Sequence, residues 1–259
     1  MDLIDSILLG IVQGFTEFLP ISSSGHLVLC QHFLGMENSG ILLEVVLHLG
    51  TLLSIILFYR KDIFHLLQGI FRGDPNSLQY IFMVVVATIP AVVAGLLFRT
   101  QIESLFLPKF VAYMMLITGC VLISTKYASE STKTITLNIA ILIGCVQVFA
   151  MLPGISRSGM TISLALFLGI HRWDAAKFSF YLAIPVLLGA GILQLGDVGE
   201  VPIYAWPLFL GFLSSFISGY VVIKWLIKII SNQNFWKFSF YCIGVGLLFI
   251  LVGVGKVNG

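Results

Sequence analysis

Residues 12–26 read VQGFTEFLPISSSGH, and residues 146–160 read VQVFAMLPGISRSGM. The two align without a gap at a constant offset of 134. Val12, Gln13, Phe15, Ile21, Ser22, Ser24 and Gly25 recur as Val146, Gln147, Phe149, Ile155, Ser156, Ser158 and Gly159. The match runs on to Phe33-Leu34-Gly35 against Phe167-Leu168-Gly169. Each copy is rich in hydroxyls and broken by Pro or Gly, inside a long apolar stretch. A continuous membrane span would press these polar groups against lipid. A re-entrant helical hairpin, lined by protein or water, would not. Two such copies point to one site built from both halves of the chain.

The rest of the chain supports a membrane setting. Of its 259 residues 58% are hydrophobic and only 10% are charged, against about 25% charged in soluble domains. A net charge of +2 is too small to suggest a nucleic-acid partner. Six segments, near 41–59, 79–98, 109–126, 175–195, 205–228 and 237–256, are apolar over the length a span needs, roughly 20 residues. The regions 3–34 and 136–169 are the broken hairpins. The expected fold class is therefore an all-α polytopic membrane protein, each half one re-entrant hairpin plus three transmembrane helices. Three spans per half is an odd number, so the halves, 1–134 and 135–259 of a single integral-membrane domain, form an inverted-topology repeat. The N-terminus lacks the basic region and small-residue site of a cleaved signal peptide. Cys30, Cys120, Cys145 and Cys242 are scattered through apolar segments and read as packing residues.

Charge placement tests this topology independently. Arg60, Lys61, Arg72, Lys126, Lys133, Arg172, Lys177, Lys224, Lys228 and Lys237 all fall on one side of it. Arg99, Lys109 and Lys256 fall on the other, with the acidic Glu37, Asp197 and Glu200. By the positive-inside rule the first group faces the cytoplasm and both termini lie outside. Trp206, Trp225 and Trp236 sit near span ends, as interfacial anchors do.

Ionisable groups at membrane depth are costly and mark function by default. Arg157 offers a planar fork of donors at any relevant pH, suited to a bidentate grip on phosphate. Its structural reading is an ion pair with Glu17 or Glu44. Ser22, Ser23 and Ser24 supply hydroxyls beside His26, and a hydroxyl becomes a nucleophile when His or Glu takes its proton. Their structural reading is helix capping. Ser23 aligns with Arg157 across the repeat. Gln13 and Glu17, four apart, share a helix face; the carboxylate there can orient His26, carry a proton or hold a divalent cation. Glu44 opens the first span, where the helix dipole favours a carboxylate anyway, and His48 one turn later reads as structural. His32, His65 and His171 read as interfacial. The sequence has no HExxH, G-x-S-x-G, Walker or dinucleotide fingerprint.

These motifs resemble those of the bacitracin-resistance family of undecaprenyl-diphosphate phosphatases. Gln13 to His26 matches that family's (E/Q)xxxE and SSxGH elements, and Pro153 to Thr161 matches its PGxSRSxxT element. EVVLHLGTLL from Glu44, Ile89-Pro90-Ala91 and FSFYLAIP from Phe178 resemble it as well. The resemblance implies an inner-membrane hydrolase of bacteria that converts a C55 polyprenyl diphosphate to the monophosphate carrier of cell-wall synthesis and confers bacitracin resistance. It implies a divalent cation, Mg2+ or Ca2+, with Glu17 as its ligand. By position it makes Glu17, Ser23, His26 and Arg157 catalytic, and Gln13, Ser22, Ser24, Ser156, Ser158 and Thr161 substrate-binding. Its partners would be the polyprenyl lipid and membrane lipids, with a homodimer left open. Gln13 stands where some members carry Glu and is not an essential base. Ser24-Gly25-His26 and Ser156-Arg157 also resemble type 2 phosphatidic-acid phosphatases, but Ser163 stands where their second His would be. The alternative from another class is a lipid-phosphate or anion transporter, which uses the same inverted-repeat site without cleaving a bond.

Overall fold

The computed structural model describes residues 3–34, 41–129, 132–195 and 205–254. Gly35, Glu37, Asp197, Glu200 and Lys256 lie outside them. The described residues fold mainly into helices: α1 (Leu3–Phe18), α2 (Ser23–Leu34), α3 (Ile41–Phe58), α4 (Arg60–Phe71), α5 (Pro75–Leu97), α6 (Arg99–Glu103), α7 (Pro108–Ser124), α8 (Leu137–Phe149), α9 (Arg157–Phe167), α10 (Arg172–Leu195), α11 (Ala205–Ser231) and α12 (Phe238–Val254). Each of the six expected spans appears as one of these helices. Four helical stretches, Pro75–Leu97, Pro108–Tyr127, Arg172–Gln194 and Ala205–Ser231, are long and apolar enough to cross a membrane. A fifth is the arm of a pair, Leu42–Phe58 with Arg60–Phe71, bent by 74°. α12 is apolar but shorter.

Helix α4 lies outside the six expected spans. Ile63, Leu66 and Ile70 lie three and four apart, so they share a face; Ile63 and Leu66 pack on the main core. The adjoining face exposes Phe64, Leu67 and Phe71 beside Arg60 and Lys61.

Small residues set the closest helix contacts, as lipid-embedded packing requires. Gly10 and Gly14 of α1 lie directly on Gly211, Ser214, Ser215 and Ser218 of α11, with no room for a Cβ. Gly144 of α8 lies in the same way on Ala87 of α5. Hydroxyls tie α3 to α11: Ser54 donates to the Phe216 carbonyl at 2.8 Å and Ser215 to that of Leu47 at 2.7 Å. The main core lies between the hairpins and α3, α5, α10 and α11. An aromatic layer of Phe18, Tyr59, Tyr80, Phe178, Phe180 and Tyr181, with neighbouring rings 5.4–6.1 Å apart, runs through it.

Candidate active site

The two breaks meet. A Cβ on Gly25 would stand 3.1 Å from the Gly154 Cα, and one on Gly159 would stand 3.3 Å from the Pro20 ring. Ser158 of the second break donates to the Leu19 carbonyl of the first at 3.2 Å. Each break ends in the same cap: Gly25 donates to Ser22 Oγ at 3.2 Å and Gly159 to Ser156 Oγ at 3.0 Å. These bonds satisfy N–H groups that a helix start otherwise leaves orphaned. The chain turns into them differently. The first break places Ser22 itself at φ 70°, a left-handed conformation rare for a residue with a side chain. The second uses Gly154 at φ 97°, where a Cβ would strike the Val111 carbonyl and Met114.

Span helices clamp both breaks. Thr118 of α7 donates to the Gly154 carbonyl at 3.0 Å and accepts from the Ser156 amide at 3.2 Å. The Cys242 thiol of α12 approaches the Pro20 carbonyl at 3.5 Å.

This frame brings the expected residues Gln13, Glu17, Ser23 and Arg157 together. Arg157 Nη2 donates to Glu17 Oε1 at 2.6 Å, an ion pair with side chains 12% and 5% exposed. Arg157 Nη1 donates to the Ser179 carbonyl at 3.3 Å. The other carboxylate oxygen, Oε2, accepts from Ser23 Oγ at 2.6 Å and from Gln13 Nε2 at 3.0 Å. Thr161 donates to the Arg157 carbonyl at 2.8 Å and meets Ser179 Oγ at 2.7 Å, which braces the guanidinium's own turn. Removing one partner of so buried a pair leaves an uncompensated charge, a cost of about 3–5 kcal/mol.

Other expected residues lie apart from the ion pair. His26 does not pair with Glu17: its Nδ1 is 2.7 Å from the Ser22 carbonyl and its Nε2 is 2.8 Å from the Tyr241 hydroxyl. Glu44 accepts from Gln31 at 2.9 Å rather than from Arg157. Ser22, Ser156, Ser158 and Thr161 are buried and engaged within the protein, whereas Ser23 and Ser24 are half-buried. Beside Ser24 a cavity of about 480 Å³ opens between α2, α3 and the start of α7, lined by Gln31, His32, Glu44, His48 and Phe106 among others.

Four contributors were not foreseen: Tyr241, Ser179, Thr118 and Cys242. Ser179 lay in a stretch already marked by resemblance, and a single Tyr, Thr or Cys in an apolar span carries no signal of its own.

No group of three His, Cys, Asp or Glu among the described residues is placed to hold a metal ion. The donors that are present suit a hard cation nonetheless. Glu17 supplies a carboxylate, and beside it Gln13 Oε1 is buried without a hydrogen-bond partner. Mg2+ commonly takes one or two protein oxygens and completes its shell with water and substrate phosphate.

Fold and site define a helical, polytopic membrane protein with a buried guanidinium–carboxylate–hydroxyl cluster where two broken hairpins touch. Residues 6–248 match the family described as Bacitracin resistance protein BacA, and the chain belongs to that family. It is 39% identical to a protein named undecaprenyl-diphosphatase from Methanobrevibacter smithii, over all of this chain and 99% of that protein. Proteins of the same name from Trichlorobacter lovleyi and Thermotoga maritima are 40% and 44% identical, over 100% and 95% of this chain and 100% and 99% of theirs.

Proposed function

We propose that this protein hydrolyses undecaprenyl diphosphate to undecaprenyl phosphate and inorganic phosphate, recycling a lipid carrier of cell-wall synthesis and lowering bacitracin sensitivity. The observation that carries the reading is one carboxylate, Glu17, shared at 2.6 Å by Arg157 and by the Ser23 hydroxyl. A donor fork for phosphate, a base and a hydroxyl thus stand on adjoining atoms. The relatives' name supports hydrolysis over the transporter alternative.

The geometry supports the following course. An arriving diphosphate competes with Glu17 for the Arg157 fork, which binds phosphate bidentately. That exchange frees Glu17 Oε1 while Oε2 still accepts the Ser23 hydroxyl. Ser23 Oγ attacks the terminal phosphorus, its proton passes to Glu17, and the bond from phosphorus to the bridging oxygen breaks. Lipid monophosphate leaves, and water then cleaves the phosphoserine. Arg157, held by Ser179, stays aimed at the charge that builds on the phosphoryl oxygens. Glu17 and Gln13 Oε1 would hold a divalent cation, whose charge would offset that of the diphosphate.

The helix packing supports a two-fold repeat. α1 packs on α11 where α8 packs on α5; α11 packs on α3 where α5 packs on α10; α3 meets α10 and α7 meets α12. This exchange of partners supports one integral-membrane domain over 1–259, built as an inverted repeat of 1–134 and 135–259. By the positive-inside rule the basic residues support a cytoplasmic α4 end, with the cavity beside Ser24 opening outward and both termini outside.

The test is phosphate release from a farnesyl or undecaprenyl diphosphate by purified protein in detergent with Mg2+, beside Ser23→Ala. Turnover in the wild type, lost in the variant and abolished by chelation, is the expected result. Saturable binding of the lipid without any release would overturn the enzyme reading.

A further inference from the structure

One buried hydrogen-bonded arrangement lies beside the ion pair without touching it. His26 is 8% exposed and makes two side-chain hydrogen bonds, neither of them to the ion pair. Its Nδ1 faces the Ser22 carbonyl, which can only accept, so Nδ1 carries the proton. Nε2 is then the acceptor, and Tyr241 is the donor. The two rings lie 5.6 Å apart at an interplanar angle of 11°, so the phenol is stacked as well as bonded. The Ser22 carbonyl at the far end of this chain also accepts the His26 backbone amide at 3.1 Å.

Ser22 is where the strain lies. Apart from Gln233 in a surface turn, it is the one side-chain-bearing residue with positive φ among the described residues. A left-handed serine persists only where its surroundings over-determine it. The next residue is Ser23, whose hydroxyl reaches Glu17 at 2.6 Å. The direction of that hydroxyl follows from the peptide that Ser22 turns.

We propose that Tyr241 is a positioning residue for the reaction: through His26 it holds Ser22 in the left-handed turn that aims Ser23 at Glu17. This rests on the phosphatase reading above. Tyr241 comes from the last span and neither touches the ion pair nor aligns with any motif. It gives α12 a direct hold on the first hairpin, beside the one Cys242 has on Pro20.

Tyr241→Phe keeps the ring and the stack and removes only the hydroxyl. One hydrogen bond lost is expected to lower kcat about tenfold, with KM unchanged. A merely structural role is separated in two ways. Nitrogen-15 NMR of histidine-labelled protein should show His26 with its proton on Nδ1 and a hydrogen-bonded Nε2, and the variant should lose the second feature. Glycine adopts positive φ without steric cost. In a Ser22→Gly background the loss caused by Tyr241→Phe should therefore shrink to about twofold or less. Equal losses in both backgrounds, or a wild-type His26 protonated on Nε2, would overturn the proposal alone. A wild type that releases no phosphate would overturn the phosphatase reading and take this role with it.

Discussion

Ser22 caps α2 through Gly25, and Ser156 caps α9 through Gly159, each with a second serine hydroxyl 3.3–3.4 Å away. Beyond that shared frame the two hairpins part. The first carries the carboxylate, Glu17; its counterpart at the same offset is Met151. The second carries the guanidinium, Arg157; its counterpart is Ser23. The surroundings part too. Ser24, Leu27, Gln31, Glu44 and His48 line an open cavity. Their counterparts Ser158, Thr161, Ala165, Phe178 and Leu182 are each 1% exposed or less. One copy of the repeat is therefore opened around polar groups, and the other is packed shut. A duplicated frame can keep its caps while dividing opposite charges between copies, because the caps satisfy each backbone locally and the charges satisfy each other.

The division of charge gives the largest expected effect. Arg157→Lys keeps the charge and loses the fork, so it should still hold Glu17 but grip phosphate poorly. Loss of one aligned donor to the developing charge is expected to lower kcat about 10²-fold. Phosphate release at saturating substrate checks this, and a fully active lysine variant would break the claim that the second hairpin supplies a bidentate clamp.

The division of access comes next. In a chain with the four native cysteines replaced, Ser24→Cys and Thr161→Cys place thiols on corresponding faces of α2 and α9. A membrane-impermeant maleimide should modify the first from the outer side in folded protein. The second should react only after denaturation, since thiol reactivity follows exposure. Equal labelling would show that the closed face opens, which would revive the transporter reading.

Legibility in the sequence followed the same split. The gapless match of residues 12–26 to 146–160 made both breaks, their caps and their meeting readable, because backbone geometry repeats with sequence. The spans were readable because lipid demands about 20 apolar residues. Helix α4, 12 residues long, is too short to register as a span, and its local signal is confined to three apolar residues at helical spacing, Ile63, Leu66 and Ile70. His26 takes neither oxygen of Glu17, a contact the sequence offered as one of three roles for that carboxylate. Its partner Tyr241 is 215 residues away, and nothing local distinguishes a phenol that binds an imidazole from one that faces lipid. Glu17 with Arg157 was one of two pairings left open, and the contact between the breaks selects it over Glu44.

The smallest effect concerns the two glutamines the repeat preserved. Gln13 donates to Glu17 and leaves Oε1 free beside it, where a cation would find it. Gln147 is 2% exposed, and neither its oxygen nor its nitrogen has a partner. With Met151 in place of a carboxylate, the amide keeps its position without a hydrogen-bond partner. A buried amide without partners costs its desolvation and returns nothing, so an apolar residue of similar shape should be neutral or better. Gln147→Met is therefore expected to stabilise the protein by about 1 kcal/mol, read as a higher unfolding temperature in detergent, with turnover unchanged. Gln13→Met should instead lower turnover and weaken the dependence on Mg2+. If Gln147→Met lowered the unfolding temperature or the activity, the second hairpin would hold a working polar group, and the contrast between an equipped hairpin and a packed one would have to be redrawn.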